Sequence, residues 1–284
     1  MKSTDELIDD LLTLAFAEDV GDGDHTTLST IPADARGKQH LIIKEEGILA
    51  GVDIARRVFA KFDPDLKMTV FINDGAHVRP GDIAFEVEGT VRSLLQTERI
   101  MLNIMQRMSG IATTTARYQK LLEGLNAKVL DTRKTTPGMR MLEKEAVKIG
   151  GGMNHRIGLF DMILIKDNHT DFAGGIPQAV ASAKAYCKAN GKNLRIEQEV
   201  RNTDEILQAI EAGVDRIMLD NYTPEQTVEA VRLIREKAPH IEIESSGGIT
   251  IDTLRAYGEA GVDFISVGAL THSVKGLDMS FKAC

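Results

Sequence analysis

The 284-residue sequence predicts an α/β protein in which a parallel sheet, wound with helices, is closed or nearly closed into a barrel and preceded by a smaller α+β layer structure. Three observations predict it. From residue 128 onward short β-branched runs alternate with longer amphipathic ones, with strand centres about 20–35 residues apart, the period of a βα repeat. Between about Gly21 and Thr90 the pattern shortens to β-like runs broken by the turn signals Asp74-Gly75 and Pro80-Gly81. Directly after the strand-like runs, where barrel loops converge on one rim, the residues are strongly polar or glycine-rich.

The elements follow in order. Ser3 and Glu6 spell a capping box, and Leu7, Ile8, Leu11, Leu12, Leu14 and Ala15 give a helical apolar stripe that stops at Gly21-Asp22-Gly23-Asp24. Strand-like runs lie at Gln39–Lys44, Lys67–Ile72 and Ile83–Glu88, with a helix at Val52–Phe62 among them. Helical periodicity returns over Leu94–Leu125, with a break expected at Ser109-Gly110. The later strands are expected at Lys128–Leu130, Met162–Ile165, Leu194–Val200, Arg216–Leu219, Ile241–Glu244 and Phe264–Val267. Helices fill the gaps at Leu142–Ile149, Ile176–Ala189, Thr203–Ala212, Pro224–Lys237 and Ile251–Ala260. The expected division is an N-terminal domain, 1–108, and a barrel domain, 109–272, with the tail 273–284 packing back on the first.

Composition excludes several classes. Lys and Arg number 34 against 42 Asp and Glu, a formal charge of −8 that argues against nucleic acid as the main partner. With 43% hydrophobic and 27% charged residues the chain can bury a core and is far from the disordered class. Two cysteines, Cys187 and Cys284, make neither a disulfide framework nor a zinc spacing. The acidic N-terminus is no secretory signal, and no apolar run approaches a membrane span, so a cytoplasmic location is expected. There is no Gly-x-x-x-x-Gly-Lys-Ser/Thr loop, no Gly-x-Gly-x-x-Gly after the first strand, no His-Glu-x-x-His and no Gly-x-Ser-x-Gly.

The chemistry is sought at the strand ends. These read Asp131-Thr132-Arg133-Lys134, Lys166-Asp167-Asn168-His169, Glu197-Gln198-Glu199, Asp220-Asn221, Ser245-Ser246-Gly247-Gly248 and Gly268. From Asp131 to His169 seven basic residues outnumber five acidic ones, an inversion of the chain's sign. Arg133, Lys134, His155, Arg156 and Lys166 could therefore line a pocket for a small polyanion, since Arg pairs with carboxylate and phosphate through two donors while Lys acts as a point charge. The alternative is a set of solvated surface charges. Glu199 and Asp220 on adjacent strands suit Mg²⁺ or a developing carbocation, or else pair with the basic cluster. Ser246-Gly247-Gly248 offers backbone amides to a phosphate.

On these residues the chain resembles the quinolinate phosphoribosyltransferases. The matching blocks include Glu18-Asp19 to Gly23-Asp24 with Thr26-Thr27, Glu98-Arg99 and Leu102-Asn103 leading to Ser109-Gly110-Ile111-Ala112-Thr113, Asp131-Thr132-Arg133-Lys134-Thr135-Thr136-Pro137-Gly138, Gly150-Gly151-Gly152-Met153-Asn154-His155-Arg156, Lys166-Asp167-Asn168-His169, Ser246-Gly247-Gly248-Ile249 and Leu270-Thr271-His272-Ser273. The resemblance implies an open (β/α) barrel of TIM-like type behind a small α+β sandwich, in a homodimer or higher oligomer with shared active sites. It implies that Arg99 reaches the partner's pocket, while Arg133, Lys134, His155, Arg156 and Lys166 bind quinolinate carboxylates and the phosphates of phosphoribosyl pyrophosphate. It places Glu199 and Asp220 near Mg²⁺ and the ribose, with Lys134 as a further catalytic candidate, and Ser246, Gly247, Gly248, Gly268 and His272 on the phosphate side. Gln198, Ser245 and Glu145 depart from the family's usual residues. The rival readings are a related transferase for another anionic substrate, a Schiff-base aldolase using Lys166, and a regulatory binder of anionic metabolites.

Overall fold

Ser3 accepts the Glu6 amide and Glu6 returns the bond to Ser3, so the first helix starts where the capping box places it. The computed structural model describes residues 2–284. In chain order the elements are α1 (Thr4–Asp19), α2 (His25–Thr30), β1 (Arg36–Ile43), β2 (Gly47–Ile48), α3 (Val52–Phe62), β3 (Lys67–Val70), β4 (His77–Val78), β5 (Ile83–Thr90) and α4 (Val91–Leu121). There follow β6 (Lys128–Leu130), α5 (Arg140–Ile149), β7 (Ile163–Ile165), α6 (Asp167–Ala173), α7 (Ile176–Ala189), β8 (Ile196–Val200) and α8 (Thr203–Ala212). The chain ends with β9 (Arg216–Asp220), α9 (Pro224–Lys237), β10 (Glu242–Ser246), α10 (Leu254–Glu259), β11 (Phe264–Ser266), α11 (Ala269–His272) and β12 (Met279–Ala283). No described helix is long and apolar enough to cross a membrane.

Two compact units divide these elements. The first takes the residues to Ala116, then Thr135–Gly151 and Leu270–Cys284. Its antiparallel sheet runs β12-β1-β5-β3. The C-terminal strand pairs with β1 from Gln39↔Ala283 to Ile43↔Met279, and its Phe281 meets Phe59 and Phe85 at ring-centroid distances of 6.0 and 6.2 Å. All three rings are buried. The tail therefore supplies both backbone pairing and core to this unit.

The break expected at Ser109-Gly110 does not occur, because α4 runs unbroken through both residues. Tertiary partners account for it. Ser109 Oγ accepts from the Ala50 amide at 2.9 Å and donates to the Ala50 carbonyl at 3.0 Å, so its hydroxyl is occupied without disturbing the helix. At Gly110 a Cβ would collide with the Lys275 carbonyl, so glycine is there for close approach. A helix that sequence alone would end is held by what packs on it.

The second unit, Arg117–Lys134 with Gly152–Ala269, contains a six-stranded parallel sheet in the order β6-β11-β10-β9-β8-β7. Its edges are β6 and β7, which is the open α/β barrel. Met153 adds a single parallel bridge to Leu130. Helices α7, α8 and α9 turn Ile176, Val180, Ile206, Ala209, Val231 and Ile234 into the core, each at a spacing that returns to one face. Asn202 caps α8, and Thr223 forms a capping box with Gln226 at α9. Lys166-Asp167-Asn168-His169 is no open loop: Asp167 begins α6, and His169 Nδ1 accepts the Lys166 amide at 3.0 Å.

Candidate functional site

Parallel strands place alternate residues on the two faces of the sheet, one under the helices and one inside the barrel. In β8, Gln198 turns outward and its amide reaches Thr170 Oγ1 of α6 at 3.0 Å. Glu197 and Glu199 consequently face inward. Glu197 is wholly buried and Glu199 nearly so. The same alternation turns Arg216, Met218 and Asp220 of β9, and Glu242, Glu244 and Ser246 of β10, to one side, in register with one another.

The basic residues expected from sequence come from three places. Arg133 and Lys134 follow β6 and are exposed, with the Lys134 amide bonded to Thr132 Oγ1. Arg156 is half-buried, and its guanidinium donates to the Met162 carbonyl at 3.4 Å. Burial lowers its pKa, and so does the nearby charge of Arg133, which brings these two cations of different segments into one neighbourhood. Lys166 is exposed, with Nζ 3.5 Å from Glu199 Oε2. The Asp167 amide donates to the other oxygen of Glu199 at 3.3 Å.

His155 is placed differently from these solvent-facing cations. Its ring is buried, with Nε2 3.1 Å from Glu197 Oε2 and 3.4 Å from Glu244 Oε2. Its own amide donates to buried Asp131 at 2.9 Å, and Nδ1 accepts the Arg156 amide at 2.7 Å. Burial opposes a charged ring, yet the bonds and charges of the two glutamates outweigh it and lift the pKa to about 9. Glu197 is itself raised to about 7 by burial and then by the charge of Glu244.

On the neighbouring strand ends Asp220 accepts from Asn221 Nδ2 at 2.7 Å, and the Asn221 amide donates to the Ser246 carbonyl at 2.9 Å. Asn221 has φ 56° and Gly247 φ 100°. A Cβ at Gly247 would collide with the Asn221 side chain, so the Ser246-Gly247-Gly248 turn is closed tightly against the end of β9. Gly268 follows β11 by two residues. Arg99, exposed on α4, and His272, exposed at the end of α11 with Nδ1 2.6 Å from Ser273 Oγ, belong to the other compact unit.

Two carboxylate groups could interest a metal. His155, Glu197 and Glu244 bring three ligand atoms within 4.8 Å of one another. They fit an ion poorly: with Nδ1 accepting the Arg156 amide, the hydrogen of a neutral ring sits on Nε2 and occupies the position a metal needs. Glu199 and Asp220 fit better. They offer hard oxygens near the ends of the adjacent strands β8 and β9, the donor type that Mg²⁺ takes.

Sequence reasoning missed the supporting charges. Arg216 donates to Glu244 at 3.1 Å and to Glu242 at 2.7 and 2.9 Å. In the other unit Arg107 binds buried Glu143 at 2.7 Å and Thr136 Oγ1 at 2.9 Å, and Glu143 also accepts the Thr136 amide. The available signal was the inward register of Arg216 and Glu244, which becomes readable only once the strands are aligned.

The chain matches the model described as the quinolinate phosphoribosyl transferase N-terminal domain over residues 24–109, and that of the C-terminal domain over 111–282. A Nicotiana tabacum protein named quinolinate phosphoribosyltransferase (decarboxylating) 1b is 44% identical over 96% of this chain and 81% of its own. A Bacillus subtilis (strain 168) protein, named probable nicotinate-nucleotide pyrophosphorylase (carboxylating), is 43% identical over 95% of this chain and 91% of its own. Among solved structures, NadC from Streptococcus pyogenes superposes with a TM-score of 0.92 at 42% identity, covering 99% of this chain and 98% of that one.

Proposed function

Because the chain belongs to the quinolinate phosphoribosyltransferase family, we propose that it transfers the phosphoribosyl group of phosphoribosyl pyrophosphate to quinolinate with decarboxylation, in NAD biosynthesis. The products are nicotinate mononucleotide, pyrophosphate and CO₂. The observation that carries this reading is the gathering of Arg133 and Arg156 into one electrostatic neighbourhood, in an anionic chain and in the same unit as the carboxylates Glu199 and Asp220.

Quinolinate is a dianion and needs fixed cations. Arg133, Lys134, Arg156 and Lys166 supply them, and holding the ring nitrogen in line with the anomeric carbon can be worth several kcal/mol, up to ~7–11 in the best cases. The nitrogen lone pair forms the new bond to that carbon as the carbon–oxygen bond to pyrophosphate breaks. Positive charge grows on the ribose, where Glu199 or Asp220 would face it. Glu199 and Asp220 would hold Mg²⁺, which when bound would supply positive charge for pyrophosphate oxygens. The ring is then a pyridinium. When the carboxylate beside the nitrogen leaves as CO₂, its electron pair stays on the ring carbon, stabilised by the adjacent cationic nitrogen, until a proton arrives from Lys134 or water; the buried His155 ring, engaged at both nitrogens, is not placed to give it.

The Schiff-base reading has less support, since such a lysine wants a desolvated pocket, whereas the Lys166 side chain is 50% exposed with a carboxylate facing it. The decisive assay is CO₂ release from carboxyl-labelled quinolinate with and without phosphoribosyl pyrophosphate and Mg²⁺. Release that requires all three supports the reading, whereas saturable quinolinate binding without CO₂ makes the chain a binder. The proposal extends to a cytoplasmic homodimer or higher oligomer in which Arg99, exposed on α4, completes the partner's site. Mixing inactive Arg99→Ala and Arg133→Ala chains should then restore part of the activity, and no recovery in a mixed oligomer would remove Arg99 from that role.

A further inference from the structure

Six Asp, Glu, His or Arg side chains lie buried inside the parallel-sheet unit, Asp131, His155, Glu197, Glu199, Arg216 and Glu244, and of these Glu197, Glu244 and Arg216 form a cluster with no part in the proposed reaction. Buried charges of this kind seldom add stability, because desolvation offsets much of their attraction and well-packed apolar residues often do as well. Their arrangement is directional. Glu244 receives Arg216 on one oxygen at 3.1 Å and the Ser266 hydroxyl on the other, and His155 Nε2 stands 3.4 Å from the oxygen that Arg216 uses. Arg216 is in turn fixed by Glu242 and by the Phe264 ring, 4.3 Å from the guanidinium carbon. A carboxylate accepts from Arg216 and Ser266 on its two oxygens while facing the imidazole with negative charge; an amide would turn an NH₂ toward one of these groups.

Beyond the ring the network reaches the substrate-facing segments. His155 Nδ1 holds the Arg156 amide, and the His155 amide holds Asp131, two residues before Arg133. The imidazole thus holds the Arg156 amide, while the backbone of the same residue is tied to the end of β6 through Asp131. We propose that Glu244 is a positioning residue for the quinolinate pocket, acting through His155 on Arg156 and on the segment that carries Arg133. This rests on the function proposed above for those cations.

The test compares Glu244→Gln, His155→Gln and the double variant in the full-length enzyme. Glu244→Gln should raise the quinolinate KM about tenfold, as expected for losing a charged hydrogen-bond acceptor, while the phosphoribosyl pyrophosphate KM stays within about twofold. If Glu244 acts through His155, the double variant is no worse than His155→Gln alone. Additive losses, or an unchanged quinolinate KM in folded Glu244→Gln, overturn the proposal. Should Glu244→Gln fail to fold, Ser266→Ala removes one donor to the same carboxylate and should give a smaller rise in the same KM. Amide hydrogen exchange over residues 153–158 supplies a readout independent of turnover. It should quicken in Glu244→Gln or Ser266→Ala, and unchanged protection counts against the proposal. A wild-type chain that releases no CO₂ sinks the function instead, leaving the exchange result to decide whether Glu244 positions Arg156.

Discussion

The charges of Arg133 and Arg156 act on one another from two segments separated by a helix in sequence, an arrangement that suits a ligand carrying more than one negative charge. Arg133→Ala should therefore lower kcat/KM for quinolinate by the equivalent of about 2–5 kcal/mol, the usual cost of truncating one member of a close charge pair. Unchanged kinetics would remove Arg133 from the site. Legibility at this scale is uneven. Arg133-Lys134 could be read because the pair directly follows an apolar strand. Glu199 could be singled out at its strand end, but nothing in the spelling Glu-Gln-Glu gave Glu197 a separate place. Only the structure shows Glu199 beside Lys166 and Glu197 sunk against His155.

Helix α4 and helix α3 show elements set by partners distant in the chain. At Gly110 alanine has the better helix propensity, by about 1 kcal/mol, yet its methyl group would meet the Lys275 carbonyl. Gly110→Ala is expected to lower the thermal midpoint, and a rise would mean that the tail gives way. Helix α3 begins at Gly51, which has no capping side chain, and Asp74 supplies the cap by accepting the Val52 amide at 2.9 Å. Asp74→Ala should cost about 1 kcal/mol in a denaturant titration, while Asp74→Asn keeps the acceptor and should cost less. Burial raises the Asp74 pKa, so its ionisation opposes folding as pH rises, and the asparagine variant should be relieved of that slope. The spacing predicts α3, α7, α8 and α9 at the bounds they take, because each has a full apolar stripe and its own stop signal. It misses α2, α6 and β12, which are short, and whose pairing or docking partners lie elsewhere in the chain.

For the molecule as a whole, the buried imidazole and its carboxylates make stability depend on pH in a calculable direction. His155 rises from an ordinary 6.5 to about 9, so the folded chain holds a proton that the unfolded chain has released. Its contribution is fully present below pH 6.5 and is lost as pH climbs through 9. Glu197, raised to about 7, has the same sign over its own window: the folded form keeps a proton from pH 4.5 up to about 7, so stability again falls as pH rises. Glu244, lowered, acts oppositely and weakens the fold in acid. Against full protonation of His155 stands the Arg156 amide on Nδ1, which a second ring proton must displace. The His155 effect is therefore at most about 3 kcal/mol between pH 6.5 and 9. Urea titrations of wild type and His155→Gln across that range measure it: the wild type should lose stability more steeply, and the variant should retain only the slope of the remaining groups. Parallel curves would show that the ring stays neutral throughout, its single proton on Nε2 between the two glutamates.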